Sequence, residues 1–199
     1  MENFFTYKNQ KYGHENMIPT KIGPIPFGLY YYSYAVNEEQ GKEETNFFIN
    51  TTKEYFEKVS FPCFIDMEDS DEYKKNHGNP TGEILTNICV NACTELSNYK
   101  VFVGVYANKN YFDKILDKEK LKGFSKWLAW WNDEAESLIN KEDYTMLQYS
   151  NKGKLKSIKG DVDVNYSFVD YKRTKEYIKY ISKVQAIKLQ TGLEDLTIQ

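Results

Sequence analysis

The amino-acid sequence predicts an α/β fold in which helices flank a parallel sheet or barrel. Short segments rich in aromatic and β-branched residues alternate with longer segments whose apolar residues recur at helical spacing. Segments 61–66 and 101–106 are nearly continuous apolar runs, typical of strands buried on both faces of a parallel sheet. This alternation indicates one α/β domain, and 199 residues are enough for a full core.

The first part of the chain predicts a strand, a helix and a second strand. Residues 27–35 are rich in strand-favouring aromatics and follow the breaker-rich segment 19–26. Residues 38–59 predict a helix because apolar or half-apolar side chains recur at helical spacing, at Phe48, Thr52, Phe56 and Val59. The second strand follows directly and ends at Asp66.

The middle of the chain predicts another helix and another buried strand. The polar loop 70–79 leads to Pro80, a residue favoured near helix starts. A broad apolar helix face is then predicted by Ile84, Ile88, Ala92 and Leu96. Residues 101–106 predict a buried strand, and a short helix is indicated by Tyr111, Ile115 and Leu116.

Three closely spaced strands are predicted in the last third of the chain, with little helix between them. They cover residues 126–131, 144–150 and 162–168. The lysine-rich segment 171–189 has apolar residues on one side and predicts a surface or terminal helix. We find no internal repeat and no low-complexity linker.

Composition narrows the classes of ligand. A formal net charge of -3 gives no sign of a nucleic-acid-binding surface. The 17 tyrosines suggest a surface that stacks on and hydrogen-bonds to a polyhydroxylated ligand. His14 and His77 have no neighbours at ligand spacing, so we expect no metal site and no cofactor.

Cysteines and hydropathy bear on the environment of the protein. Cys63, Cys89 and Cys93 each fall inside an apolar pattern, which predicts buried thiols without a disulfide or redox role. The first residues contain no apolar run long enough for a signal peptide, and no segment reaches membrane-spanning length. We therefore expect no membrane partner.

Asp66 and Glu68 are two carboxylates at the end of an apolar strand. Side chains at i and i+2 of a strand point to one face, roughly 6 to 7 Å apart. This separation suits an acid/base pair. In α/β folds the ligand site lies beyond the carboxyl ends of the strands, and the pair lies at such an end. The alternative is that one carboxylate caps the following helix while the other is solvated.

Six short motifs follow one another between residues 27 and 168. They are Gly28-Leu-Tyr-Tyr-Tyr-Ser-Tyr-Ala35, Phe61-Pro-Cys-Phe-Ile-Asp-Met-Glu-Asp69, Gly104-Val-Tyr106, Trp127-Leu-Ala129, Gln148-Tyr-Ser150 and Val162-Asp-Val-Asn165. In order and approximate spacing they resemble the motifs of glycoside hydrolase family 25, the lysozymes and phage endolysins that cut the peptidoglycan glycan strand. Each motif is weak alone, but six in order are highly specific.

The resemblance implies a TIM-like (β/α) barrel whose final strands lack intervening helices. It also implies that Glu68 is the general acid that protonates the glycosidic oxygen. Asp66 would stabilise positive charge or steer the N-acetyl group of the substrate. Whether configuration is retained stays open, because a separation of ~5 to 5.5 Å suits a nucleophile whereas ~6.5 to 9.5 Å leaves room for water. Strand spacing favours the longer distance.

Further site residues are implied by the same resemblance. Asp163 would join the catalytic acids; the substrate-binding positions would be Tyr30, Tyr32, Tyr106, Trp127, Gln148 and Asn165. From the residues alone, Asp163 is equally a turn residue after Gly160. For Tyr30, Tyr32, Tyr106 and Trp127 the alternative is packing in the core, and we expect that for at least one of Tyr30 and Tyr32. Trp130 and Trp131 fit either class.

The chain departs from the family pattern near its N-terminus, where no Gly-x-Asp-x-Ser strand is found. We expect two of eight strands to be missing, with residues 2–17 resembling the helix before the third strand. Residues 27–33 and 162–168 would then be the two edges of a six-stranded open sheet. We expect such a chain to fold poorly alone, and to need a further N-terminal segment or a partner chain.

Two functions and two domains are predicted. The catalytic domain would cover residues 1–172, and a C-terminal helical extension would cover 173–199. The first function is hydrolysis of the β-1,4 bond between N-acetylmuramic acid and N-acetylglucosamine in bacterial peptidoglycan, at the cell wall, extracellularly or after release by a phage. The second is that of an inactive remnant or a glycan-binding fragment.

Overall fold

The structure is a computed structural model that describes residues 2–6, 26–156, 158–171 and 173–175, with residues 2–6 described by their backbone alone. The chain divides into two compact units, Met1–Val169 and Asp170–Gln199. The first unit is a mixed α/β fold built on one sheet. The expected domain boundary at residues 172 and 173 stays a prediction.

Among the described residues, seven strands form the sheet of the first unit. They are β1 (Glu2–Thr6), β2 (Leu29–Tyr32), β3 (Cys63–Asp66), β4 (Val103–Asn108), β5 (Ser125–Ala129), β6 (Met146–Gly153) and β7 (Val162–Ser167). Their order across the sheet is β1-β7-β6-β5-β4-β3-β2. Neighbours from β2 to β6 are parallel, whereas β7 runs antiparallel to β6 and β1 antiparallel to β7.

The six strands expected from the sequence are β2 to β7, and all six are confirmed. One expected edge is wrong, because β1 pairs with β7 from Glu2 opposite Ser167 to Thr6 opposite Asp163. The helix expected over residues 2–17 is therefore wrong for residues 2–6, and residues 7–17 lie outside the described part. A free strand edge offers unpaired N–H and C=O groups, and β1 satisfies those of β7. At the other end of the described sheet, β2 is the edge strand, as expected.

Two long helices cover one face of the sheet. They are α1 (Glu38–Thr52) and α3 (Gly82–Ser97), and each begins at a side-chain cap. Asn37 Oδ1 accepts a hydrogen bond from Gln40 N at 2.9 Å, and Thr81 Oγ1 accepts one from Ile84 N at 3.3 Å. The predicted helix over 38–59 ends earlier, because Lys53–Tyr55 form a 3₁₀ turn.

Shorter helical segments connect the remaining strands. The loop predicted at 70–79 contains the one-turn helix α2 (Tyr73–Asn76), and Tyr111–Ile115 form a π-type turn where a short helix is predicted. Between β5 and β6 lies α4 (Ala135–Leu138). In the second unit, residues 171 and 173–175 are helical, and Asp170 Oδ1 accepts from Arg173 N at 2.9 Å. The rest of the predicted helix 171–189 lies outside the described residues.

The two faces of the sheet have different compositions. Ile65 and Met67 belong to the hydrophobic core with residues of α1 and α3, whereas Phe64 and Asp66 alternate with them on the other face. The three cysteines are buried in this core as free thiols, which confirms their predicted burial. No helix in the described part of the chain is long and apolar enough to cross a membrane.

The close approach of α1 to α3 depends on Gly41. A methyl group added there would lie 2.7 Å from Cγ2 of Ile88, which is buried and stiff because it is β-branched. We expect Gly41→Ala to lower the free energy of unfolding by about 1 kcal/mol, because overpacking costs ~1 to 3 kcal/mol and outweighs the helix-propensity gain of about 1 kcal/mol. Urea unfolding measures this.

The exposed position Asn46, on the same helix, provides the matched control for Gly41. Asn46→Ala gains helix propensity without a new contact, so it should leave the stability unchanged or raise it by a few tenths of a kcal/mol. A Gly41→Ala protein that is more stable than wild type would contradict the close packing of the two helices.

Candidate active site

The two acids singled out in the sequence lie at the carboxyl end of β3. Asp66 is the last residue of the strand and is paired in register with Tyr32 on β2 and Tyr106 on β4. The chain stays extended beyond it, because Met67 N donates to Tyr106 O at 2.8 Å. Met67 is buried in the core, so Asp66 and Glu68 flank it on the opposite face. Asp66 is 2 % exposed, whereas Glu68 is only half-buried.

Asn108 holds the carboxylate of Glu68. Its Nδ2 donates to Glu68 Oε2 at 3.3 Å, while its Oδ1 accepts from Tyr111 N at 3.1 Å. Because both ends of the amide are engaged, its orientation is fixed. Asn108 was not predicted, although it lies two residues after Tyr106 at the end of β4, as Glu68 lies two residues after Asp66.

Asp163 is the third acid predicted for the site, and its strand, β7, is four strands away from β3 in the sheet. It lies inside β7, so its alternative interpretation as a turn residue is wrong. Burial raises the pKa of the Tyr106 phenol, and the charges of Glu68, Asp66 and Asp163 raise it further. Burial, followed by the charges of Asp66 and Asp163, raises the pKa of Tyr30 to about 12. The charges of Asp66 and Asp163 therefore act on both phenols, although the two acids lie on different strands.

Hydrogen bonds join the aromatic and amide side chains on this face. Tyr106 Oη donates to Gln148 Oε1 at 3.0 Å, and Trp127 Nε1 donates to Asn165 Oδ1 at 2.9 Å. The rings of Tyr106 and Trp127 meet edge to face at 4.8 Å. Gln148 and Asn165 are buried, so these hydrogen bonds replace those that their amide groups would make with water. The same bonds fix the positions of Tyr106 and Trp127 on this face of the sheet. The four residues predicted from sequence are thus brought together.

The three successive tyrosines of β2 separate by strand alternation. Tyr31 packs on Phe48 at 5.0 Å between ring centroids and shares a hydrogen bond of 3.0 Å with Thr45. Tyr30 and Tyr32 lie on the other face, so the expectation that one of them is a core residue is wrong. The charges of Asp66 and Asp163 act on the Tyr30 phenol, and Tyr32 Oη donates to Asp71 Oδ1 at 3.3 Å.

The two adjacent tryptophans have different surroundings. Trp130 packs against the hydrophobic core, and its ring lies 5.0 Å from Nζ of Lys109. Trp131 is 59 % exposed and donates through Nε1 to Gln148 Oε1 at 2.8 Å. Trp131 therefore adds an open aromatic surface beside the Tyr106–Gln148 pair, a role that the sequence left undecided.

Lys74 is a buried cation close to the end of β3, and it lies within the segment 70–79 that the sequence predicts as a polar loop. It donates to the backbone carbonyl oxygen of Glu68 at 2.6 Å and also to that of Ser33. No periodicity marks it, since its neighbours are polar. Within the described residues there is no group of three or more His, Cys, Asp or Glu side chains that could hold a metal ion.

The arrangement combines paired carboxyl groups with an aromatic wall. One acid is buried and the other is partly open to solvent, and such different surroundings separate the proton affinities of paired acids. Aromatic rings with hydrogen-bonding groups offer apolar and polar contacts to a polyhydroxylated ligand. The site is therefore suited to proton transfer on such a ligand.

Solved structures of cell-wall enzymes are similar to this chain. The autolysin LytC from Streptococcus pneumoniae matches with a TM-score of 0.61 and 24% identity, over 71% of this chain and 33% of LytC. The catalytic domain of endolysin ply40 from bacteriophage P40 of Listeria monocytogenes matches with a TM-score of 0.58 and 25% identity, over 75% of this chain and 71% of ply40. The Clostridium perfringens spore cortex lytic enzyme SleM matches with a TM-score of 0.55 and 18% identity, over 72% and 49%.

These likenesses concern the fold, and the chain spans about a third of the length of LytC. No curated protein matches the sequence. The model of the family described as glycosyl hydrolases family 25 matches residues 3–158, which is well over half of the chain. On that match the chain belongs to glycosyl hydrolases family 25.

Proposed function

We propose that this protein hydrolyses the β-1,4 bond between N-acetylmuramic acid and N-acetylglucosamine in bacterial peptidoglycan. The observation that carries the proposal is the pair Asp66 and Glu68 at the carboxyl end of β3, with Asp66 in register with Tyr106 and Glu68 hydrogen-bonded to Asn108. Family membership supports a glycosidase. The likeness to LytC, which is solved in complex with a synthetic peptidoglycan ligand, supports a glycan of the cell wall as substrate.

Glu68 acts as the general acid. It is the more exposed of the two acids on β3, so a glycosidic oxygen can approach it. Its Oε2 accepts from Asn108, which orients the carboxyl group. Protonation of the leaving oxygen typically contributes 10² to 10⁴-fold to the rate.

Asp66 acts as the ionised partner: burial alone favours the protonated form of a carboxyl group, and the positive charge of the buried Lys74 opposes that effect. Glycosidases develop positive charge on the sugar ring, and a carboxylate on the neighbouring position stabilises it or steers the N-acetyl group. Asp66 is buried between Tyr32 and Tyr106 in register, where its charge acts at short range. Asp163 and Asn165 approach from β7 and complete the polar side of the site.

The aromatic side chains form the walls of the groove. Tyr30, Tyr106 and Trp127 lie on the site face of the sheet, and Trp131 extends this surface to solvent. Sugar rings pack on such surfaces while phenol and indole groups hydrogen-bond to their hydroxyls. We also infer that this sheet is the greater part of a TIM-like barrel of the family 25 type.

The assignment of the general acid predicts the effect of an amide at position 68. Glu68→Gln keeps the shape of the side chain but cannot donate the proton, so turnover should fall by at least about 10²-fold while glycan binding persists. Release of reducing ends from purified peptidoglycan measures turnover, and co-sedimentation with the same walls measures binding.

Glu72→Gln is the matched control for this substitution. Glu72 is exposed and pairs with Lys75 at 2.9 Å, so its amide should retain wild-type turnover. Wild-type lysis by Glu68→Gln would contradict the assignment. Walls bound equally well by both proteins, with no turnover by the wild type, would instead favour a glycan-binding fragment.

The bond cleaved is a separate prediction. Digestion should create new reducing ends on N-acetylmuramic acid; this expectation follows from membership of family 25 and not from any single residue. Mass spectrometry of borohydride-reduced fragments identifies the reduced sugar. New free amino groups without new reducing ends would show an amidase or a peptidase and would rule out the proposed reaction.

A further inference from the structure

Lys74 is a lysine in a place where lysines are seldom found. It belongs to the one-turn helix α2, yet it is only 2 % exposed. Lysine side chains are almost never fully buried unless they are paired, because removing the charge from water is costly. Its neighbour Lys75 points to solvent, so the burial is specific to one side chain.

The ammonium of Lys74 joins the ends of β2 and β3. It donates to the carbonyl oxygen of Ser33, the residue after β2, and to that of Glu68 at 2.6 Å. The ring of Tyr32 lies 5.0 Å from Nζ, which adds a cation–π contact. A single side chain therefore holds the backbone of the proposed general acid against the neighbouring strand.

The carboxylate of Asp69 fixes the position of α2 by accepting hydrogen bonds from two of its backbone N–H groups. Asp69 Oδ1 accepts from Lys74 N at 2.7 Å, and Asp69 Oδ2 accepts from Lys75 N at 3.0 Å. Asp69 directly follows Glu68, so α2 is tied to the segment that it supports. On the other side, Ser33 Oγ donates to Glu44 Oε2 at 2.7 Å. The two residues whose carbonyl oxygens accept from Lys74 are thus restrained by further hydrogen bonds, Ser33 through its own side chain and Glu68 through its neighbour Asp69.

The charges of four carboxylates on the surrounding elements act on the ammonium group. They are Glu44 on α1, Asp66 on β3, and Asp69 and Asp71 in the loop before α2. Burial lowers the pKa of Lys74, and these four charges oppose that effect. Two carbonyl acceptors together with four carboxylates favour the charged form.

We propose that Lys74 is a positioning residue for the hydrolysis: its ammonium group fixes the backbone of Glu68 and favours the ionised form of Asp66. The proposal rests on the proposed function for its kinetic consequences. An apolar side chain would fill the same space without burying a charge, and it would lack both effects. The buried charge is thereby linked to catalysis as well as to folding.

Lys74→Met tests this inference, with Lys75→Met as the matched control. Lys74→Met keeps the length of the side chain and removes its charge and donors. We expect kcat to fall at least about 10-fold, because small displacements of a catalytic group are costly. KM should change less than about two-fold. Lys75→Met should match the wild type, because Lys75 is exposed.

The pH profile of kcat separates positioning from a purely structural role. A positive charge favours the ionised form of a nearby carboxyl group, so without it Asp66 takes up a proton at higher pH. The acidic limb of the profile should therefore move to higher pH by about 0.5 unit or more. A folded Lys74→Met protein with unchanged kcat would overturn the proposal. A lower kcat with an unmoved acidic limb would do so too.

An NMR titration decides the charge coupling if Lys74→Met does not fold, or if no chain shows turnover. In the wild-type protein the ¹⁵N signal of Lys74 Nζ should shift through the acid range, with a step that Asp66→Asn removes. A flat signal, or one that Asp66→Asn leaves unchanged, overturns the proposal. Absence of turnover by both wild type and Lys75→Met counts against the proposed function instead, so the two failures are distinguishable.

Discussion

The register of β3 between β2 and β4 is the constraint on which the site depends. Ile65 and Met67 are fully buried in the core, so the alternation of the strand puts Asp66 and Glu68 on the other face. A slip of one residue would bury both acids against the helices and expose the two apolar side chains. Hydrophobic burial therefore selects the register that places the acids, and at about 1.5 to 3 kcal/mol for each large apolar side chain that preference is strong.

Strand direction explains how residues distant in sequence meet at one edge of the sheet. β3 to β6 are parallel, so Asp66 and Asn108 lie at the same edge, where their strands end. β7 runs the other way, and its pairing sets Gln148 opposite Asn165. Asp163, near the start of β7, therefore reaches the edge where the parallel strands end. The antiparallel direction of β7 therefore puts Asp163 at the same edge of the sheet as Asp66.

The sequence was informative where periodicity and position carry the signal. Asp66 and Glu68 are predictable from an apolar run ending in two acids, and the six strands β2 to β7 follow from their composition. The pairing of β1 was missed because a short segment with two aromatic residues fits a helix or a strand, and only the edge of β7 decides. Asn108 was also missed, although its position at the end of β4, two residues after Tyr106, is a signal that could have found it. Lys74 could not be found, because its role depends on how the segment around α2 folds over the strand ends, and no local pattern encodes that.

The central claim is that Glu68 meets a glycosidic oxygen at the end of β3, with Asp66 beside it. A crystal structure of Glu68→Gln with a peptidoglycan tetrasaccharide tests it most directly. We expect the glycosidic oxygen between N-acetylmuramic acid and N-acetylglucosamine to lie about 2.6 to 3.2 Å from the side-chain amide at position 68. The N-acetyl group or the ring of the cleaved sugar should face Asp66. A glycan bound away from the end of β3, or one whose glycosidic oxygen lies beyond the reach of residue 68, would contradict the account.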